Sequence, residues 1–397
     1  MPNVTVELGS FTGLTLDDPV LGKLDENPLD GAISFEAVTD SVFSVSTTRG
    51  RNRDLERTNA GSLAVSLRNQ GRAFDPQNPA SPFSRFVVPR RPVKVSANGD
   101  AIFTGQIDDW SFTYSPGGDS VASFQASDAF AIFARNLNGG SAAVEELTGA
   151  RLNRVLDQAE VNWPSGERDI ETGNSTLAAD TLEDNTLGYI SNVIEASEQG
   201  LVFITKDGKV AFRERLFAQV SNAVRFSDSG PGIRYEDVAI SFGTDLMVNQ
   251  AVVEYPGGTV IAEDLTSQVT FGITERTLKT ELSSEAQAQA IADYLIERYS
   301  TPEYRVQSVT VNIRGMSEAE ADDVLSLELG DQADIVFRPN GIGQAIALRN
   351  RVIGIAHDVG IDDHRVTFNF EELPFEFFIL DDAVFGKLDD DAGVLGF

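Results

Sequence analysis

PVKVSANGDAIFTGQIDDWSFTYSPGGDSVASFQASDAF, residues Pro92–Phe130, decides the fold, because a counterpart stands near the other end of the chain. Ahead of it runs Ser62-Leu-Ala-Val-Ser-Leu-Arg68-Asn69; within it follow Val93-Lys-Val95, Phe103-Thr-Gly105-Gln-Ile107-Asp108 and Val121-Ala-Ser-Phe124. The later series is Ser308-Val-Thr-Val-Asn-Ile-Arg314-Gly315, Ile335-Val-Phe337, Val352-Ile-Gly354-Ile-Ala-His-Asp358 and Val366-Thr-Phe368. Both octets alternate apolar and polar residues, the period of a half-buried strand. The order of strands and turns is the same in both series, as an internal duplication requires. The fold class expected is mainly β with an α+β insertion, built on two similar antiparallel β-barrels per chain.

The remaining chain divides around these two units. Residues 1–33 read as an N-terminal arm, since Gly9, Gly13, Pro19, Gly22, Pro28 and Gly31 interrupt every element. Residues 34–140 make the first barrel, with the long loop Gln70–Pro92 and its phenylalanines Phe74, Phe83 and Phe86. Residues 141–303 form an α+β middle region. Helices are expected at Thr148–Ala159, Thr186–Ser197 and Ser284–Tyr299, with a hairpin over Leu201–Arg213 turning at Asp207-Gly208. Part of this region is expected to lend strands to the second barrel, residues 304–374. Residues 375–397 are an acidic C-terminal arm. Leu16–Asp25 and Leu380–Asp389 are identical at eight of ten positions, so both arms carry one motif.

Composition excludes several chemistries. The 397 residues contain no cysteine, which rules out disulfides and thiolate sites, and only His357 and His364 as histidines. A formal charge of −30 opposes binding to nucleic-acid phosphates and suits a surface that lets DNA pass. A salt-adapted host accounts equally well for acidity with only six lysines. No apolar run is long enough for a stable membrane span, and MPNVTVELGSF lacks the features of a signal peptide. The adjacent pairs Asp108-Asp109, Asp362-Asp363, Glu371-Glu372 and Asp381-Asp382 point to opposite faces of a strand and make no catalytic dyad. Asp25–Glu36 departs from a calcium loop where its geometry is strictest, and Gly341-Ile-Gly343 lacks the helix of a dinucleotide site. The expectation is therefore no enzyme, no catalytic residue, no metal and no cofactor.

Several stretches in order carry a resemblance: Arg49-Gly-Arg51 through Ala60-Gly-Ser-Leu63, Phe74-Asp-Pro76, Phe103–Trp110, Ala126-Ser-Asp-Ala-Phe130, Arg298-Tyr-Ser-Thr-Pro-Glu303 and the terminal Leu-Asp-Asp blocks. The chain resembles the minor tail proteins, or tail-tip (baseplate) hubs, of long-tailed bacteriophages. The resemblance implies a structural homotrimer whose two barrels per subunit build a ring of six. That ring would adapt a six-fold tail tube to a three-fold tip. DNA would pass through it without specific binding. Implied partners are tail tube and distal tail ring proteins, the tape measure protein, and tip or receptor-binding proteins. The implied location is the virion tail tip, after assembly in the host cytoplasm. Hubs often carry a further C-terminal domain, and its absence here would leave that function to another protein. A distal tail ring protein, a wall-polysaccharide-binding or cleaving tail protein, and the hub of a phage-derived injection machine are the alternatives.

Interface residues are expected at three places. The matching arms offer Leu16, Asp17, Asp18 and Val20, and Leu380, Asp381, Asp382 and Val384. The basic turn offers Arg49, Arg51 and Arg53 to an acidic neighbour. Phe74, Phe83 and Phe86 need a neighbouring surface to bury them.

Overall fold

Leu63, Val65 and Leu67 are buried while Ala64 is exposed, so the alternation of the first octet does lay one strand face on a core. The structure, a computed structural model, describes residues 4–11, 33–78, 80–116, 120–215 and 223–373, together with the backbone of 376–377 and 393–394. The first unit comprises β1 (Val4–Phe11), β2 (Ile33–Ala37), β3 (Val42–Gly50), β4 (Asn59–Arg68), β5 (Pro92–Ala97), β6 (Asp100–Thr113) and β7 (Val121–Ser127). After the hairpin β8 (Leu201–Ile204) and β9 (Val210–Arg213), the second unit begins with β10 (Val224–Ser227) and β11 (Asp237–Phe242). Three strands then intervene, β12 (Gln250–Tyr255), β13 (Gly258–Glu263) and β14 (Glu275–Lys279). The second unit is completed by β15 (Tyr304–Asn312), β16 (Gln332–Phe337), β17 (Ile346–Val359) and β18 (His364–Glu372).

The duplication is visible in the pairing. In the first unit the hydrogen-bonded order is β3-β4-β7-β6-β5-β1, and in the second it is β11-β15-β18-β17-β16-β10. Both β6 and β17 are 14 residues long, and each shifts register against its hairpin partner, between Ile107 and Asp109 and between Val352 and Gly354. One difference is direction: β1 lies antiparallel to β5, whereas β10 lies parallel to β16. The units join through β17 and β3, so one large sheet runs through both, and among the described residues its path does not return on itself. Val65, Phe124, Val309 and Phe368 belong to a single hydrophobic core spanning both units. Each buried phenylalanine contributes roughly 2–3 kcal/mol.

Val4–Phe11, read from sequence as part of an arm, is instead a strand of this sheet. Val4, Val6 and Leu8 alternate inward and pair with β5, which outweighs the breaking effect of Gly9.

Two smaller cores complete the described chain. One contains α1 (Ala129–Phe133), α2 (Thr148–Leu156) and α3, which is α-helical over Thr186–Tyr189, π-helical over Ile190–Glu195 and α-helical again over Ala196–Glu198. The other packs β12 and β13 against α5 (Glu285–Tyr299), with α4 (Leu265–Phe271) between β13 and β14. Val202, Ile204, Val210 and Phe212 face the α1–α3 core while Leu201, Phe203 and Ala211 face the large one, so the β8–β9 hairpin is buried on both sides. The third core is inserted between β11 and β15, where the first unit has only the short turn 51–58 between β3 and β4. Of the apolar residues expected to face inward on these helices, Leu152, Val155, Leu156, Ala288, Ile291, Ala292 and Leu295 are buried, but α2 stops at Leu156 and leaves the expected Ala159 exposed. Thr148, the residue type that sequence favours as a cap, is the first residue of α2, and its hydroxyl donates to Glu198 at 2.8 Å.

Candidate functional site

The turn 51–58, leaving β3, touches all three cores, and its side chains explain how. Arg51 donates from Nη2 to Glu371 Oε2 of β18 at 2.6 Å, and from Nη1 to the Glu56 carbonyl. Arg351 donates to the other oxygen of Glu371. Asp54 Oδ2 accepts from the Tyr299 hydroxyl of α5 at 2.7 Å, and that hydroxyl also accepts from Arg298 Nε. Thr58 donates to Glu195, in the π-helical turn of α3, at 2.8 Å; the Val202 N–H donates to the same oxygen. Beside this network lies a cavity of about 510 Å³, lined in part by Arg51, Asp54, Glu195, Arg276, Tyr294 and Tyr299.

Burial and charge act against each other here. Burial works to raise the Glu371 carboxyl, but the guanidiniums of Arg351, Arg51 and Arg298 win and hold it well below the usual carboxylate range. Asp54 goes the other way, raised by burial and then by the charge of Glu371. Glu195 is raised mainly by burial, with Arg51 opposing. Such a network ties cores together, each charge being met by another or by a hydrogen bond. No group of three or more metal-ligating side chains is found among the described residues. None of the described helices is long and apolar enough to cross a membrane.

The arginine and phenylalanine readings need correction. Arg49 and Arg51 are buried inside the chain, Arg49 against Glu328 at 2.6 Å and Arg51 against Glu371, so neither is free to meet an acidic neighbour. Their acidic partners lie hundreds of residues away in sequence, which spacing does not reveal. Arg53 is different: it is partly exposed and reaches Asp245 at 3.4 Å. Phe74 and Phe86 are buried in the chain's own large core, and Phe83 stacks on Phe74 at 4.8 Å. The loop therefore folds back on its own sheet, which covers Phe74 and Phe86 fully and Phe83 in part. Leu16, Asp17, Asp18, Val20, Leu380, Asp381, Asp382 and Val384 lie outside the described residues.

The histidines are cross-strand neighbours, His357 Nδ1 standing 3.0 Å from His364 Nε2. Both are buried. Burial pushes His364 down to about 4, and burial together with the nearby His364 pushes His357 well below its ordinary value.

Along β6, Trp110, Phe112 and Tyr114 stack in a row that continues the Phe83–Phe74 pair. Trp110 and Phe112 share one face of β6 as every second residue does, and Tyr114 continues the spacing just past its end. Its outer end is open, Tyr114 being 50% exposed.

The comparisons with solved structures follow this architecture over nearly its whole length. The tail protein from Neisseria meningitidis MC58 aligns over 93% of this chain and 96% of its own, with a TM-score of 0.59 at 12% identity. The chain has the fold of phage tail proteins. The 43 kDa tail protein of prophage MuSo2 from Shewanella oneidensis shows the same fold, with a TM-score of 0.59, 11% identity, and coverage of 94% and 97%. A chain in a PdpA–VgrG complex is similar in fold, at a TM-score of 0.52 and 9% identity, the match covering 93% of this chain and 64% of that one. No protein-family model matches the sequence, and no curated protein matches it either. This tail-protein fold places the ion network at the meeting of three cores, where it acts as a brace.

Proposed function

We propose that the chain is a structural, non-enzymatic hub of a phage tail, a homotrimer whose six duplicated units surround the DNA channel. It adapts a six-fold tube to a three-fold tip and anchors tip or receptor-binding proteins. The observation that carries this reading is the repeated strand order, β3-β4-β7-β6-β5-β1 and β11-β15-β18-β17-β16-β10, within a fold shared with tail proteins over more than nine-tenths of the chain. Two like units per chain and three chains make six quasi-equivalent positions, the smallest way for a trimer to meet a six-fold neighbour. A net charge of −30 suits a conduit that must not retain DNA.

Native mass spectrometry or light scattering of the purified protein tests it. The expected species is three chains of 42.9 kDa each. Six chains would favour a distal tail ring, and a monomer at every concentration would remove the ring altogether.

A further inference from the structure

Inside the chain the two units meet at one joint. Gly354–Val359 of β17 pair antiparallel with Val45–Gly50 of β3, on the side of β17 that β18 leaves open. By strand order β17 is the counterpart of β6, and β3 is the counterpart of β11. The duplication therefore supplies each half of this joint a second time, one half at either end of the molecule.

Both spare halves are open among the described residues. β5 covers β6 only as far as Gln106, so Asp109–Thr113 pair with β7 alone. β11 pairs with β15 alone. Burial reports the same vacancy. On β17 the paired stretch is closed, His357 at 5% and Val359 at 0% exposure. On β6 the corresponding Trp110 and Phe112 are only half-buried, and the Trp110 Nε1–H has no acceptor among the described residues. At the end of β11, Phe242 is 68% exposed. A long strand edge left bare invites another strand, because its N–H and C=O groups have no partner.

We infer that Asp109–Thr113 of one copy pair antiparallel with the β11 edge of the next, repeating between chains the β17–β3 joint found within each. The occupant is a second copy of this chain, because the complementary edge exists on the same molecule and the internal joint shows the two fitting. The contact is head-to-tail, each chain giving one edge and accepting the other, so it closes into a ring when the rotation allows. Equating Ser62 with Ser308 carries the internal register across: Ser62 pairs with Thr48 and Ser127, and Ser308 with Ala239 and Asn369. Since Asp358 faces Ser46 within the chain, Ser111 faces Asp237 between chains. This assignment rests on the ring proposed above.

The absence of cysteine makes the test clean. Ser111 and Asp237 are exposed, and cross-strand neighbours lie within disulfide reach. Full-length Ser111→Cys/Asp237→Cys is oxidised and run without reductant, beside each single variant, a mixture of the two singles, and Ser111→Cys/Ala239→Cys for a register slipped by two. The expected result is covalent trimer from one of the double variants, covalent dimer from the corresponding mixture, and no ladder from either single. A native three-chain species that cross-links in neither register overturns the edge and leaves the hub reading standing. Ladders running beyond three chains support the edge and overturn the three-chain ring. A monomer by mass with no cross-link overturns both.

Discussion

Glu371 holds two arginines from different strands, Arg51 at the end of β3 on one oxygen and Arg351 of β17 on the other. The carboxylate thus staples the two duplicated units at the place where the turn 51–58 leaves for the other two cores. Taking one charge from a buried cluster strands the rest, which costs about 3–5 kcal/mol. Glu371→Gln is expected to lower the unfolding free energy read from urea denaturation by that order, with Arg51→Ala at the lower end because Arg351 still pairs with Glu371. A loss below about 1 kcal/mol in both would show that the brace bears little of the stability.

The same carboxylate has a pH signature. Its folded pKa is depressed, so its stabilisation is complete above the unfolded value near 4.5 and is lost as pH falls through the folded one. The histidines are also depressed in the fold, so between about 6.5 and 4 the unfolded chain binds more protons and stability declines as pH drops. Asp128 opposes them. Burial raises it to about 7, so its contribution is full at low pH and declines as pH rises toward that value. His364→Gln isolates one group: its unfolding free energy is expected to fall less steeply than that of the parent between pH 6.5 and 4, by up to one proton. Superposable pH profiles would mean that His364 titrates alike in the folded and unfolded chains.

The joint between the units has no room for a methyl group. A Cβ on Gly354 would stand 2.3 Å from the Arg51 carbonyl oxygen, and one on Gly50, at φ +84°, 2.2 Å from that of Ile353. Gly315 has a similar positive φ of +90° but open space around it. Gly315→Ala should therefore cost only about 1 kcal/mol of backbone strain. Gly354→Ala is expected to exceed it by at least about 2 kcal/mol, since backbone must move. Equal effects in thermal denaturation would contradict the close approach.

What could be read from the sequence was what is local and periodic. The octets at Ser62 and Ser308 show their buried faces by alternation, and Ala288, Ile291, Ala292 and Leu295 by helical spacing. Long-range pairing was out of reach: Arg51 and Glu371 are 320 residues apart, so the basic turn looked like a surface in search of an acidic neighbour. Phe74 and Phe86 misled for the same reason, because a proline-rich loop gives no sign that it folds back on its own sheet. The capping box Ser317-Glu320, which starts the helix Glu318–Ser326, is a local signal of the same kind as the alternation. β1 was hidden by its glycine, and the π turn of α3 leaves no periodic mark at all.

The matching decapeptides Leu16–Asp25 and Leu380–Asp389 supply the last prediction. Each carries Leu, Val, a further apolar residue and a second Leu among Asp-Asp, Gly and Lys, so the two present the same chemistry. Two such segments on each of three chains give six, a number that suits a six-fold neighbour or six tip subunits. We propose that they dock on equivalent surfaces of a partner, which would cover their apolar residues. Deleting residues 380–397 should leave the native mass at three chains while weakening retention of tip proteins on assembled tails. The measurement pairs native mass of the purified variant with the yield of complete tails in a complementation assay. Normal tail yield from the truncated chain would rule out docking by the C-terminal segment, whereas loss of the three-chain species would make that segment part of the ring itself.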